Sequence, residues 1–314
     1  MKESPLVLSI IAPIYGVEQY IGKFAESVLS QSYPYIEYIF VNDGTKDNSI
    51  EVLESIINEK YAHRREWIKI IHKTNGGLPA ARATGLEHAT GEYVYHVDTD
   101  DWISEDSISK IVACIEKTSA DIVYFNYVKE YPTRSSKKAE RLYTNNQREQ
   151  YVRNMYNHRS YGTLCNKCIR RSLYQENEIL IPKYGYAEDC CVSTQLVGFA
   201  RSIAFLNEYI YHYRKGNPNA MTSQKVKQRK KEYVLNILAL YERYMHTPRE
   251  KNPIAPICDD IVLQAGWYSL LFNFGLFAER SYLAKTILKS SVKFNSNVWL
   301  LAQFITKVYA LFVK

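Results

Sequence analysis

Four short apolar runs, each closed by a polar cluster and followed by a helical stripe, constrain the fold of this chain more than any other feature. Residues 6–14 are almost continuously apolar and β-branched, as in a strand buried on both faces. Ile21, Phe24, Ala25, Val28 and Leu29 then follow helical spacing. A second run, 38–41, ends in Asn42-Asp43-Gly44-Thr45. Asp47 or Asn48 is placed to cap the next helix, whose stripe is Ile50, Leu53, Ile56 and Ile57. Residues 68–72 form a third strand, followed by the Asn75-Gly76-Gly77 loop. Pro79 suits the first turn of a helix through Ala83 and Leu86, closed by Gly91. A fourth strand, 92–97, runs into Asp98-Thr99-Asp100-Asp101.

This alternation predicts a mostly parallel sheet with right-handed crossovers and helices on its faces, an α/β fold. Such sheets bind ligands at the carboxyl ends of their strands. The polar clusters at 13–18, 42–45, 75–82 and 98–101 converge there. Further along, Ser104 is expected to cap a helix carrying Ile108, Ile111, Val112 and Ile115. Strands are expected at 121–128, 178–181 and 202–213, and helix from about residue 223 onward, with Val234, Ile237, Leu238 and Tyr241 on one face.

Charge divides the chain. Residues 1–128 carry 11 Lys/Arg against 19 Asp/Glu, whereas residues 129–314 carry 29 against 14. The net charge of +7 thus joins an acidic half to a basic half with a different task. The six cysteines show no disulfide framework, and the single C-x-x-C, Cys165–Cys168, lacks the second pair that zinc requires. Buried free thiols in a reducing cytoplasm are expected. No signal peptide or membrane span is visible.

Asp98, Asp100 and Asp101 at a strand end repel one another unless a cation sits between them. Their hard oxygens suit Mg²⁺ or Mn²⁺, which leave positions open for substrate phosphates. A solvated acidic turn would use the same residues. Asp43 can accept from a nucleobase or ribose, or can simply be the aspartate of a turn before Gly44. Arg82, near a helix start, suits a diphosphate, or is a surface arginine.

Taken together these blocks resemble a known pattern. Ser9-Ile10-Ile11-Ala12-Pro13-Ile14-Tyr15, Glu18-Gln19-Tyr20-Ile21, residues 27–33 and Val41-Asn42-Asp43-Gly44-Thr45-Lys46-Asp47 look like the opening of a family 2 glycosyltransferase of the GT-A fold. Asn75-Gly76-Gly77 with Ala81-Arg82, Val97-Asp98-Thr99-Asp100-Asp101, and Tyr186-Ala187-Glu188-Asp189 continue it in order to about residue 215. Gly16, Asn42 and Ala83 depart from the family's usual Asn, Asp and Asn.

The resemblance implies a Rossmann-like GT-A domain over 1–220, with a nucleotide-sugar half (1–101) and an acceptor half (102–220), then a helical C-terminal subdomain (221–314). It implies that Pro13, Tyr15, Glu18, Asp43, Gly77 and Arg82 surround the nucleotide. Asp98 and Asp100 would hold Mn²⁺ or Mg²⁺ in a D-x-D motif, with Thr99 between them. Asp189, beside Glu188, would be the catalytic base, and Arg214 would meet the diphosphate or acceptor. The activity implied is inverting, metal-dependent transfer of a hexosyl or N-acetylhexosaminyl group from a UDP-sugar to a glycan or lipid-linked acceptor in cell-envelope polysaccharide synthesis.

Other nucleotide-sugar enzymes want a Gly-rich N-terminal phosphate loop, absent here, and no G-x-G-x-x-G or Walker sequence is present. A non-catalytic basic adaptor for membranes or nucleic acid would not need both acidic motifs, and no nucleic-acid module accompanies the charge. The aromatic, amphipathic tail (Trp267, Phe272, Phe274, Phe277, Trp299, Phe304, Tyr309, Phe312) suggests peripheral contact with the inner face of the plasma membrane, or a helical subdomain packed on the catalytic domain or on a second protomer of a homo-oligomer.

Overall fold

Strand β1 (Leu8–Ile14) is buried along its whole length. Its side chains alternate, so Ile10, Ala12 and Ile14 enter one core and Ile11 the other. That is why the run reads as continuously apolar rather than alternating. The computed structural model describes residues 5–157, 159–218, 220, 225–261 and 265. The expected amphipathic tail lies outside the described residues.

After β1 come α1 (Glu18–Leu29), β2 (Ile36–Asn42), α2 (Ser49–Lys60), β3 (Ile68–His72), α3 (Leu78–His88) and β4 (Tyr93–His96). Strands β3, β2, β1 and β4 lie side by side in that order, all parallel. The chain then adds β5 (Trp102–Ile103), α4 (Ser107–Thr118), β6 (Ile122–Glu130), β7 (Ser135–Lys138), α5 (Arg148–Tyr156), β8 (Lys167–Arg170), α6 (Ser172–Glu176), α7 (Glu188–Phe199), β9 (Ile203–Arg214) and α8 (Val226–Tyr244). The sheet continues from β4 through β8, β6 and β9 to β5, with β7 on β6. Strand β8 runs antiparallel to both β4 and β6. In α8, Val234, Ile237 and Leu238 join a core shared with Tyr151 and Met155 of α5 and Leu196 of α7.

Two expectations are corrected and one strand is added. Residues 178–181 are not a strand: Glu178 has φ +45°, and Gln195 of α7 pairs with both the N–H and the C=O of Leu180. The side-chain amide supplies the hydrogen bonds a neighbouring strand would have supplied. Ser104 does not cap α4, which starts after Asp106; its hydroxyl donates to the Tyr209 carbonyl instead. Strand β8 was hidden because Lys167 and Arg170 interrupt its apolar pattern.

Gly91, between α3 and β4, is required by close approach rather than by turn geometry. A Cβ there would lie 2.8 Å from both the Ser9 nitrogen and the Val7 carbonyl oxygen. Backbone cannot yield as a flexible side chain does. Gly91→Ala is therefore expected to cost about 1–3 kcal/mol. A denaturant midpoint equal to that of the unsubstituted protein would overturn this.

Candidate active site

The polar clusters meet at the carboxyl edge of the parallel strands, and side chains tie one loop to the next. Beyond β1, Tyr15 is 55% exposed. Gly16 follows with φ +66°, and its N–H donates to Thr45 Oγ1 (2.9 Å). The Glu18 carboxylate accepts from the backbone and side chain of Asn48 (3.2 and 3.0 Å), while Asp47 accepts from the Glu18 N–H (3.0 Å). The loops after β1 and β2 are thus held together.

Asp43 is buried after β2 and organises the loop before α3. Its two oxygens accept from Gly76 N–H (2.9 Å), Gly77 N–H (2.8 Å) and Lys73 Nζ (2.7 Å). Gly77, at φ +83°, can take the left-handed conformation that brings its N–H onto this carboxylate. Asp43 is therefore more than a turn aspartate. A carboxylate has about four lone-pair sites, so it can still accept from a ligand.

After β4, Thr99 Oγ1 donates to the Pro13 carbonyl (2.7 Å), pinning the acidic loop to β1. Asp98 is partly exposed and accepts from Arg82 (2.6 Å). Asp100 accepts from Asn217 Nδ2 (2.8 Å). Asp101 is buried and accepts from the Tyr211 hydroxyl (2.5 Å) and the Arg214 N–H (2.7 Å). The Arg214 guanidinium donates to the Asp100 carbonyl (2.7 Å) and lies 4.9 Å from the Trp102 ring centroid and 4.8 Å from that of Tyr20.

Arg82 is not a surface arginine. It is only 5% exposed, and its guanidinium joins Asp98 to Glu188, linking the loop after β4 to the first turn of α7. Burial opposes its charge, but Asp98, Glu188 and Asp189 outweigh that and keep it firmly protonated. His96, beneath it, is pushed down to about 3 by burial and then by the Arg82 charge, so it is neutral.

Helix α7 begins after Ala187, a non-glycine residue at φ +64°. Such a conformation costs about 1–3 kcal/mol and persists where the surroundings over-determine it. It delivers Glu188 and Asp189 together. Burial raises the pKa of both carboxyls; Asp189 and Asp98 add to this for Glu188, while Arg82 opposes it for each. One Asp189 oxygen takes the Cys190 N–H (2.7 Å).

Could this edge hold a divalent cation? Burial and then the Asp98 charge raise Asp100 above the usual carboxylate range. Burial alone disfavours a charged carboxylate, and the neighbouring negative charge adds to it. Among the described residues no group of three or more His, Cys, Asp and Glu is placed to hold a metal. Asp98 and Asp100 alone suit an ion such as Mg²⁺ or Mn²⁺, which completes its shell with water and phosphate oxygens.

The sequence reading missed four participants. Tyr211 donates to Asp101 and lies in the expected strand 202–213, next to the Tyr213-Arg214 pair. Asn217 and Lys73 lie outside every motif, and Lys167 is an unassigned position of the C-x-x-C segment. Lys167 is wholly buried and donates to the carbonyls of Tyr161 and Thr163 (both 2.7 Å). Burial lowers its ammonium to about 8, against the pull of Glu140 and Asp189. Its loop packs on α7, since a Cβ on Gly162 would meet Cys190 Sγ at 2.7 Å.

Residues 9–177 match Glycosyl transferase family 2. The chain belongs to that family. It is 32% identical over 259 residues to EpsH of Bacillus subtilis (strain 168), a glycosyltransferase by assignment, covering 80% of this chain and 72% of EpsH. It is 34% identical over 224 residues to the uncharacterized glycosyltransferase EpsJ of the same organism, covering 69% of this chain and 63% of EpsJ. Among solved structures, S. aureus TarS 1-349 in complex with UDP-GlcNAc superposes with TM-score 0.69 at 20% identity, over 96% of this chain and 88% of that one. Mannosyltransferase PcManGT from Pyrobaculum calidifontis, in complex with GDP-Man and Mn²⁺, gives 0.57 at 15% identity, over 99% and 81%. These likenesses show a GT-A fold. This family 2 glycosyltransferase therefore carries its acidic motifs on the scaffold its sequence resembles.

Proposed function

We propose that this glycosyltransferase transfers a hexosyl or N-acetylhexosaminyl group from a UDP-sugar to a hydroxyl of a glycan or lipid-linked acceptor, with inversion. One observation carries the reading: Arg82 ties the carboxylate loop after β4 to the Glu188–Asp189 pair, so donor-side and acceptor-side acids share one site. Neighbours of the same fold bind UDP-GlcNAc and GDP-Man, which supports a nucleotide-sugar donor.

In this reading Pro13, Tyr15, Glu18, Asp43 and Gly77 frame the nucleoside, and Thr99 fixes the acidic loop. Asp98 and Asp100 hold Mn²⁺ or Mg²⁺. The bound ion would supply electrostatic stabilisation of the departing diphosphate. Arg82 keeps the two acidic segments in register and faces the phosphates with them. Arg214 meets the diphosphate or acceptor. Asp189 takes the acceptor proton as the new C–O bond forms and the bond to the diphosphate breaks. A single displacement inverts the anomeric carbon.

The division into a donor half (1–101), an acceptor half (102–220) and a helical region (221–314) belongs to this proposal. So do a role in envelope polysaccharide synthesis and a cytoplasmic site of action with peripheral membrane contact. Among the described residues no helix is long and apolar enough to cross a membrane.

A thermal-shift screen of UDP-, GDP- and dTDP-sugars, with and without Mn²⁺, tests the donor. Stabilisation by UDP-sugars that grows with Mn²⁺ is expected, since a ligand held 100-fold above its Kd adds about 2.7 kcal/mol. A shift with none of them would overturn the reading.

A further inference from the structure

We infer that the face of the β7–β6–β9 ribbon next to Asp101 is a seat for a compact anionic group of the acceptor, a phosphate in chemistry, formed by Lys129, Lys138 and Lys215. The inference rests on the transferase reading and names a chemical feature of its acceptor.

Register places the three lysines together. Tyr127 of β6 stands opposite Lys138 of β7 and Tyr211 of β9, and Lys129 stands opposite Ser136 and Tyr213. Side chains two apart share a face, so Tyr127, Lys129, Lys138, Tyr211 and Tyr213 lie on one side of the ribbon. Lys215 extends the ladder, its N–H donating to the Glu130 carbonyl (2.7 Å), and its Nζ lies 4.3 Å from the Tyr213 ring centroid. Lys129 Nζ is 5.9 Å from the Tyr127 ring. Tyr161 meets Tyr127 edge-on, with centroids 4.3 Å apart. Lys129 and Lys215 thus stand over aromatic rings, and on the same face the Tyr211 hydroxyl donates to Asp101.

Among the described residues no carboxylate pairs directly with the ammonium groups on this face. Lys60, Lys69, Lys73 and Lys110 each have a carboxylate within 3.0 Å. Among the described residues Lys129, Lys138 and Lys215 have none, although all three are half-buried. Burial, then Lys215 and Lys138, make the Lys129 ammonium easier to deprotonate. Crowded, partly desolvated like charges are unfavourable until an anion sits among them. Three flexible ammonium groups match a phosphate as point charges. Burial lowers the Lys215 ammonium and the Asp101 carboxylate opposes this, so the seat adjoins the acidic site.

The test compares the full chain with a Lys129→Gln/Lys138→Gln/Lys215→Gln variant and with Lys60→Gln/Lys110→Gln/Lys117→Gln, which removes the same charge elsewhere. The probes are inorganic polyphosphate and phosphatidylglycerol-containing vesicles, each titrated at two salt concentrations. UDP binding is measured alongside as an independent readout of the donor site. The cluster variant is expected to weaken binding of at least one probe by roughly tenfold or more, with a flatter salt dependence. The charge-matched control keeps its affinity, and Lys→Arg at the three positions restores binding. Loss confined to polyphosphate assigns the anion to a phosphate-bearing glycan chain, and loss confined to vesicles assigns it to a lipid headgroup; either supports the seat. Equal behaviour of cluster and control variants, or no binding of either probe by the unsubstituted protein, overturns it. Absence of UDP binding throughout would instead refute the donor reading, which these probes do not measure.

Discussion

Asp189→Asn is expected to leave UDP binding intact and to slow sugar transfer by about 10²–10⁴-fold, the usual contribution of a positioned base. Asn keeps the shape and can still accept the Cys190 N–H, so the first turn of α7 is preserved. It cannot take a proton. The unsubstituted enzyme should also show an acid limb. Asp189 must be ionised to act, and burial raises its pKa, with Asp98 adding and Arg82 opposing. Transfer therefore falls as pH drops through a value above the ordinary carboxylate range, and that limb should vanish from the residual rate of the Asn variant. Transfer at the original rate in Asp189→Asn would remove the residue from this role. Glu188→Gln is the companion measurement. Its carboxylate is committed to Arg82, so its loss should appear first as lowered stability, because it leaves a buried guanidinium half-paired.

The second large effect concerns Asp100. Asp100→Ala is expected to reduce Mn²⁺-dependent turnover by about 10³-fold, which corresponds to roughly 4 kcal/mol of lost stabilisation of the departing charge. The fold should survive. Among the described residues the Asp100 side chain accepts from Asn217, and its raised pKa means that the folded protein already disfavours its charge. A turnover assay across a Mn²⁺ titration, with a thermal melt of the same sample, separates the two effects. Full turnover with an unchanged metal dependence would sink the metal assignment. Collapse of the melt would show that Asp100 is structural.

The two experiments divide the site along its construction. Asp100 belongs to a loop pinned to β1 through Thr99 and the Pro13 carbonyl. Asp189 belongs to α7, which packs on α5 and α8. Arg82 spans them directly, and its partner Glu188 lies 106 positions away in sequence.

The sequence by itself determined the β1-to-β4 succession, the parallel sheet and the placing of the polar clusters at its carboxyl edge. These follow from local periodicity and from the handedness of crossovers, both of which are written in neighbouring residues. It also determined the acidic motifs, because their order along the chain is itself the signal. The tertiary structure alone decided what those residues hold. Asp43 gathers Lys73 and the Gly76–Gly77 loop, Arg82 is locked between two carboxylates, and Gln195 replaces the strand expected at 178–181. It also revealed β8, whose buried Lys167 breaks any apolar pattern yet is satisfied by carbonyls of its own loop. Ion pairs and side-chain-to-backbone bonds join distant segments and have no period. They exist only once packing has removed water and left each buried polar group to find its partner.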